Sequence, residues 1–130
     1  MRAVRRRDQR GSAIVDFTLV TVVLLPIVLG IFQIALVLHV RTTLAAAASE
    51  GARLAATADR GPQDGLSRTR KQIAEALAGR YAREVHVRRV SIDGAPGIEI
   101  TVHAQVPALG IGGPGVEFDV SGRAVEETPR

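Results

Sequence analysis

From Phe17 to Val40 the chain runs for 24 residues without a formal charge, most of them Val, Leu or Ile. As a helix rising about 1.5 Å per residue, such a run is about 36 Å long, against a hydrocarbon core of about 30 Å. It is long enough to cross a bilayer with modest tilt or overhang. It is also too long and too apolar for an ordinary helix of so small a domain. Pro26 removes a backbone donor and clashes with the carbonyl four residues back, which predicts a kink near Val22–Pro26. Thr21 is placed to re-satisfy backbone groups that the proline frees.

The charge lies almost wholly in front of this run. Five of the 17 basic residues and one of the 13 acidic ones fall in Met1–Gly11, so the remaining 12 of each balance and the net +4 belongs to the leader. Arg5, Arg6, Arg7 and Arg10 abutting an apolar helix read as its cytoplasmic flank by the positive-inside rule. The expected arrangement is a single-pass membrane protein with its N-terminus in the cytoplasm and its C-terminus outside. Nothing after residue 11 has the electrostatic footprint of a nucleic-acid binder. The chain has no Cys and only three Phe, one Tyr and no Trp, which excludes thiol chemistry and leaves little mass for an enzyme-like interior.

The expected organisation is a basic leader at 1–11, a membrane helix at 12–40, a helical extension at 41–58 and a small extracytoplasmic head at 59–130. The extension holds eight Ala, the best helix former. Its Leu44, Ala48, Gly51, Ala55 and Ala58 form a stripe of mainly small residues. Residues 59–66, DRGPQDGL, read as a loop, and 67–82 as a second helix capped by Asp64 or Ser67, with Ile73, Ala74, Leu77, Ala78 and Tyr81 on its apolar face. The period then changes to two. Val85, Val87, Val90 and Ile92 form a strand with a bulge at Arg88–Arg89, DGAPG (93–97) a turn, and Ile98 to Val106 a strand of unbroken alternation. Pro107 ends it, 108–115 form a loop, and Val116, Phe118 and Val120 begin a third strand. The fold class is therefore α+β: a long N-terminal transmembrane helix extended into a soluble helix, a second short helix, and a three-stranded antiparallel sheet. A head this small has a marginal core by itself, so the sheet is expected to use the 44–58 stripe or a partner.

Chemistry-bearing patterns are few. His39, His86 and His103 lack metal-ligand spacing to one another or to carboxylates. Gly110–Gly115 matches G-x-G-x-x-G, but a strand follows and Pro114 removes a phosphate-cradling N–H. Ala46–Ala48 resembles a signal-peptidase site, behind an apolar segment too long for a usual signal peptide. No nucleophile–base arrangement is visible. The expectation is no enzyme, no cofactor, no metal and no small-molecule substrate. Glu50 and Arg53 are expected to pair along the helix surface. The remaining constellation is Gly11, Ser12 and Asp16, the carboxylate lying one turn beyond Ser12. Were the chain cut after Gly11, the new ammonium at Ser12 and a carboxylate on a neighbouring subunit would attract by roughly 4 kcal/mol at 4 Å and an effective dielectric near 20, before desolvation. That attraction offsets the cost of a carboxylate at the membrane edge.

Basic leader, Gly11, four residues, Asp16, Phe17 and a long apolar helix resemble the processing site of class III type IV prepilins. The run Arg10-Gly11-Ser12-Ala13, Val15-Asp16-Phe17, Pro26, the alanine stretch and Ser49-Glu50-Gly51-Ala52-Arg53 resembles the TadE-like family of pilus assembly proteins, minor pseudopilins of the tight-adherence (Flp) system. Position five of the mature chain is usually Glu in that pattern and here is Asp, one methylene shorter. The resemblance implies cleavage after Gly11 by a membrane aspartyl prepilin peptidase. It further implies assembly with other pilin-like subunits on a pilus assembly platform, for a pilus or a related secretion apparatus at the cell surface. The residues also leave open a signal-anchored extracytoplasmic binding module that is neither processed nor polymerised.

Overall fold

A computed structural model describes residues 5–77, 82–109 and 115–128. The elements are α1 (Arg5–Ala56), α2 (Pro62–Ala76), β1 (Ala82–Ile92), β2 (Ala95–Val106) and β3 (Val116–Val125). The strands form one antiparallel meander in the order β1-β2-β3. The α+β class read from the sequence is what the chain adopts.

α1 is one continuous helix of 52 residues that runs through Pro26. The hydroxyls of Thr18 and Thr21 donate to the carbonyls of Ile14 and Phe17, one turn back. Thr21 therefore does not serve the Val22 carbonyl that Pro26 leaves without its helical donor. It closes a back-bond within its own turn instead. An 18-residue window of α1 has a mean hydropathy of 2.7 and none of it is buried, so the helix is long and apolar enough to cross a membrane.

The upper half of α1 is the spine of the head. Val40, Leu44, Ala47, Ala48, Ala52 and Ala55 are buried, and with Ile98, Ile100, Val102, Ala104 and Val106 of β2 they make the core. Every second residue of β2 points at α1, as the alternation predicted. The small-residue stripe does what a stripe of that kind permits, except at Ala58, which is exposed beyond the helix end. At Gly122 of β3 an added Cβ would run into the backbone of Ala48 and Ser49, so strand and helix touch main chain to main chain. At Gly51 it would run into Thr69 Oγ1 and lie 2.8 Å from the Gly65 carbonyl oxygen, so α1 and α2 cross with equal closeness. The Glu127 N–H donates to the Ala56 carbonyl at 2.8 Å, fixing the top of the sheet to the end of the stalk.

Three local features differ from the expectation. α2 begins at Pro62, not Ser67. Pro62 occupies the first helical position, where its missing N–H costs nothing, and the Asp64 carboxylate accepts the N–H of Gly61, the N-cap, at 2.9 Å. The glycine that suggested a loop, Gly65, lies inside α2 as the site of close approach to α1. α2 ends at Ala76, with extended backbone at Leu77; Ala78 and Tyr81 lie outside the described residues. Second, β1 pairs with β2 without interruption at Arg88–Arg89, and the register shift falls between Ala82 and Glu84. Third, the first turn is only Asp93–Gly94, with φ of 50° and 84°. Positive φ at both central residues is the hairpin geometry that Asp-Gly favours. β2 therefore starts at Ala95, and Pro96 is accommodated in its first residues.

Filling the helix crossing tests this packing. Gly51→Val is expected to cost about 3 kcal/mol, read as a lowered denaturation midpoint of the detergent-solubilised full chain by circular dichroism. Gly30→Ala, where an added Cβ meets nothing within 4 Å, is expected to leave the midpoint of the head unchanged.

Candidate processing and assembly segment

Gly11 and Ser12 stand within α1, both exposed, and an added Cβ at Gly11 would meet no atom within 4 Å. No side chain or other described element meets a Cβ at Gly11, and the bond lies in a helix that glycine locally weakens by about 1 kcal/mol relative to alanine. Arg10 is exposed beside it. Arg5, Arg6 and Arg7 belong to the backbone of α1, and their side chains lie outside the described residues. Asp16 is exposed one turn beyond Ser12, with no ion pair among the described residues. Phe17, Leu19, Val20, Val22 and Val23 follow it, each more than half exposed. From here to Phe32 every residue of α1 but the half-buried Leu29 is exposed. Such a patch is far larger than soluble monomers leave in water.

The second part of the segment lies where α1 meets the head. Glu50 is tied to α2, not to Arg53. Arg68 donates through Nε and Nη2 to Glu50 Oε1 at 3.1 and 2.7 Å, and Gln72 Nε2 donates to Oε2 at 2.8 Å. These hydrogen bonds, Arg68's first, hold the Glu50 carboxyl below its usual range. Two donors arriving from α2, 18 and 22 residues away, outcompete a neighbour on the same helix that would need its long side chain held along the surface. Arg53 is exposed. Ser49 lies against Gly122, Gly51 against Gly65 and Thr69, and Ala52 is buried. The Thr69 hydroxyl, itself buried, donates to the Gly65 carbonyl at 2.9 Å. Residues 49–53 are thus the junction at which stalk, second helix and sheet are joined.

The family model for TadE-like protein matches residues 11–53. Over this segment the chain is similar to TadE-like proteins. The match begins at Gly11 and ends at Arg53, about a third of the chain, and it takes in Asp16, Pro26 and the Ser49–Arg53 junction. Comparison with curated proteins and with solved structures returns no match. α2 and the whole sheet lie beyond the match and stand on their own geometry, while the match itself ends within the part of α1 that the head covers.

On the uncovered face of the sheet the structure brings together groups that spacing alone did not reveal. Glu99, at the centre, is only 2% exposed although no helix covers it. Arg88 from β1 donates to its Oε1 at 2.6 Å, and Arg123 from β3 donates to Oε2. Burial pushes the Glu99 carboxyl up, and the hydrogen bonds from Arg123 and Arg88 outweigh it, leaving it below the usual carboxylate range. The signal was present: Arg88 and Glu99 are equidistant from the Asp93–Gly94 turn, so fixing the turn fixes the pair. Two histidines each have one carboxylate partner. His86 meets Glu84 at 3.0 Å and His103 meets Asp119 at 2.5 Å across the β2–β3 ladder. The bond to Asp119 raises the His103 pKa. Among the described residues no group of three or more His, Cys, Asp or Glu is arranged to hold a metal ion.

The Glu99 triad makes a prediction with a definite sign. A carboxyl whose folded value lies below its ordinary 4.5 contributes stability that is present above that value and lost as pH falls through the lower, folded one. The denaturation midpoint is expected to drop steadily below pH 4.5, with a shallower drop in Glu99→Gln. Near neutral pH, replacing both Arg88 and Arg123 with Met strands a buried charge and is expected to cost about 3–5 kcal/mol.

Proposed function

We propose that this chain is a pilin-like structural subunit of a Tad-type pilus or a related secretion apparatus, with no catalytic role. It is inserted with its N-terminus in the cytoplasm and matured by a prepilin peptidase that cuts after Gly11. The observation that carries the proposal is a coincidence of boundaries: the TadE-like match starts at Gly11, the residue at which an uncovered apolar helix follows the basic leader. A peptidase working at the membrane surface meets an exposed bond there, in a helix weakened by glycine. Removal of the leader strips the charges that hold residues 1–11 on the cytoplasmic side and leaves an ammonium at Ser12.

Asp16 then has a task. The exposed carboxylate takes the freed ammonium of a neighbouring pilin-like subunit as its counter-ion, which sets the axial register between adjacent helices. Burying either charge alone in a packed filament is unfavourable, and pairing them removes the penalty from both. The apolar surface of α1 is exchanged from lipid to the helices of other subunits, while the sheet faces outward. The partners in this reading are other pilin-like subunits, the peptidase and the assembly platform. Pro26 acts as a local bend where the backbone lacks one helical hydrogen bond.

N-terminal sequencing of the protein from cells with and without the prepilin peptidase tests the processing step. Ser12 is expected as the first residue only when the peptidase is present, and Gly11→Ala is expected to retain the leader; a mature protein that keeps Arg2 in both strains contradicts the proposal. Asp16→Ala is expected to insert and to be processed normally but to lose most of its copurification with partner pilins. Unchanged copurification removes Asp16 from the assembly step.

A further inference from the structure

Gln33 is a polar side chain in the middle of the apolar run, and the structure gives it an occupation. Its Nε2 donates to the Pro107 carbonyl at 3.2 Å, and its Oε1 accepts the Leu109 N–H at 2.7 Å. One amide thus satisfies both a donor and an acceptor of the chain leaving β2, and the two partners fix which way the amide points. The lower rim of the head is held at the level of Gln33, seven residues before the end of the uncharged run at Val40. Above Gln33, Leu36, Val37 and Val40 are covered by the head. Below it, Ser12 to Phe32 is exposed at every residue but the half-buried Leu29. Those 21 residues make about 31 Å of helix, the thickness of the hydrocarbon core.

The rim itself is apolar. Pro107, Ala108 and Leu109 are exposed, Leu109 by 41%, and Val116, where the chain returns into β3, by 44%. Ile31 and Phe32, the residues of α1 just before Gln33, are exposed as well. The sequence carries no charge between Pro107 and Val116. A rim of this kind in water gains nothing from its apolar side chains. In the interfacial layer of a bilayer those side chains leave water, and Gln33 satisfies the Pro107 carbonyl and the Leu109 N–H from within the protein.

We infer that, before assembly, the β2–β3 rim of the head is a membrane-contacting surface: Leu109 and Val116 sit in the outer interfacial layer of the bilayer, with Gln33 as the strut that positions them. This rests on the membrane reading of α1 proposed above. The occupant is the lipid surface, since the rim stands one bilayer thickness along the same helix from Ser12. The head is thereby kept against the membrane along its lower edge. Leaving the bilayer for a filament then requires the rim to be lifted out together with α1.

The chain has no Trp, so single-Trp variants report position directly. The full chain is reconstituted in phosphatidylcholine–phosphatidylglycerol vesicles whose lipids carry bromine either near the headgroup end of the acyl chain or near its terminal methyl. Leu24→Trp reports the mid-span, Phe32→Trp the expected outer boundary, Arg60→Trp the far end of the head and Leu109→Trp the rim. Leu24→Trp is expected to lose most fluorescence to deep bromine, and Leu109→Trp to lose it to shallow bromine, to an extent closer to Phe32→Trp than to Arg60→Trp. If Leu24→Trp escapes deep bromine, the membrane reading itself fails, and the rim proposal with it. If Leu24→Trp is quenched while Leu109→Trp behaves more like Arg60→Trp, the rim is not in the lipid, and the inference is overturned with the membrane reading intact.

Discussion

The contact on which the rest depends is the close approach of main chain to main chain along one side of α1. Gly122 admits the backbone of Ala48 and Ser49, and Gly51 and Gly65 admit each other. Because these residues lack side chains, a three-stranded sheet and a 15-residue helix can both seat against a single rod. Small residues here are the means by which so small a head acquires a core. β2 alone buries five aliphatic residues against α1. Without α1 the sheet would expose that whole face to water, and a lone three-stranded meander of this size is marginal.

It follows that α1 serves two surroundings. From Gln33 to Ala56 one side of it is a wall of a folded domain; from Ser12 to Phe32 its side chains, Leu29 apart, are exposed and require lipid or other helices. The same helix therefore transmits position between them. A subunit displaced along its neighbours by one turn moves its head by the same amount, since the rod is continuous and the head is fixed to it at Gln33, at Ser49 and at Ala56. Register at the N-terminal end thus becomes register of the displayed surface. In the proposed assembly, the charge pair at Asp16 thus acts on a surface about 50 Å away along the helix. The TadE-like match spans this arrangement, from the proposed cut at Gly11 to the junction at Arg53.

What was legible in the sequence follows from what acts locally. The apolar run, the alanine-rich extension and the strict alternation of β2 each carry a period that survives any tertiary context. Gly11, Ser12 and Asp16 stood out as a spacing, and the TadE-like match covers them. The misreadings arose where a residue served a distant partner. Pro62 and Gly65 look like loop residues until α2 is placed against α1, whereupon one becomes a helix start and the other a contact point. Arg88–Arg89 broke the apolar alternation and suggested a bulge, yet Arg88 is there to cover Glu99, which no local period can show. Glu50 was matched to the nearest cation on its own helix, while the geometry gives it to Arg68 and Gln72. Gln33 stands in the sequence as one polar residue in an apolar run, since its partners lie 74 and 76 residues on.

The division of α1 at Gln33 is the claim most open to direct measurement. The chain has no Cys, so single cysteines can be placed along the exposed side of α1 and their rates of labelling by a water-soluble maleimide compared in the full chain within a bilayer. Cysteines at Val20 and Ile27 are expected to stay unlabelled, and cysteines at Thr42 and Ala46 to react as exposed sites do. Labelling at Val20 or Ile27 as fast as at Ala46, or protection extending through Thr42 and Ala46, would contradict a helix shared between membrane and head at that level.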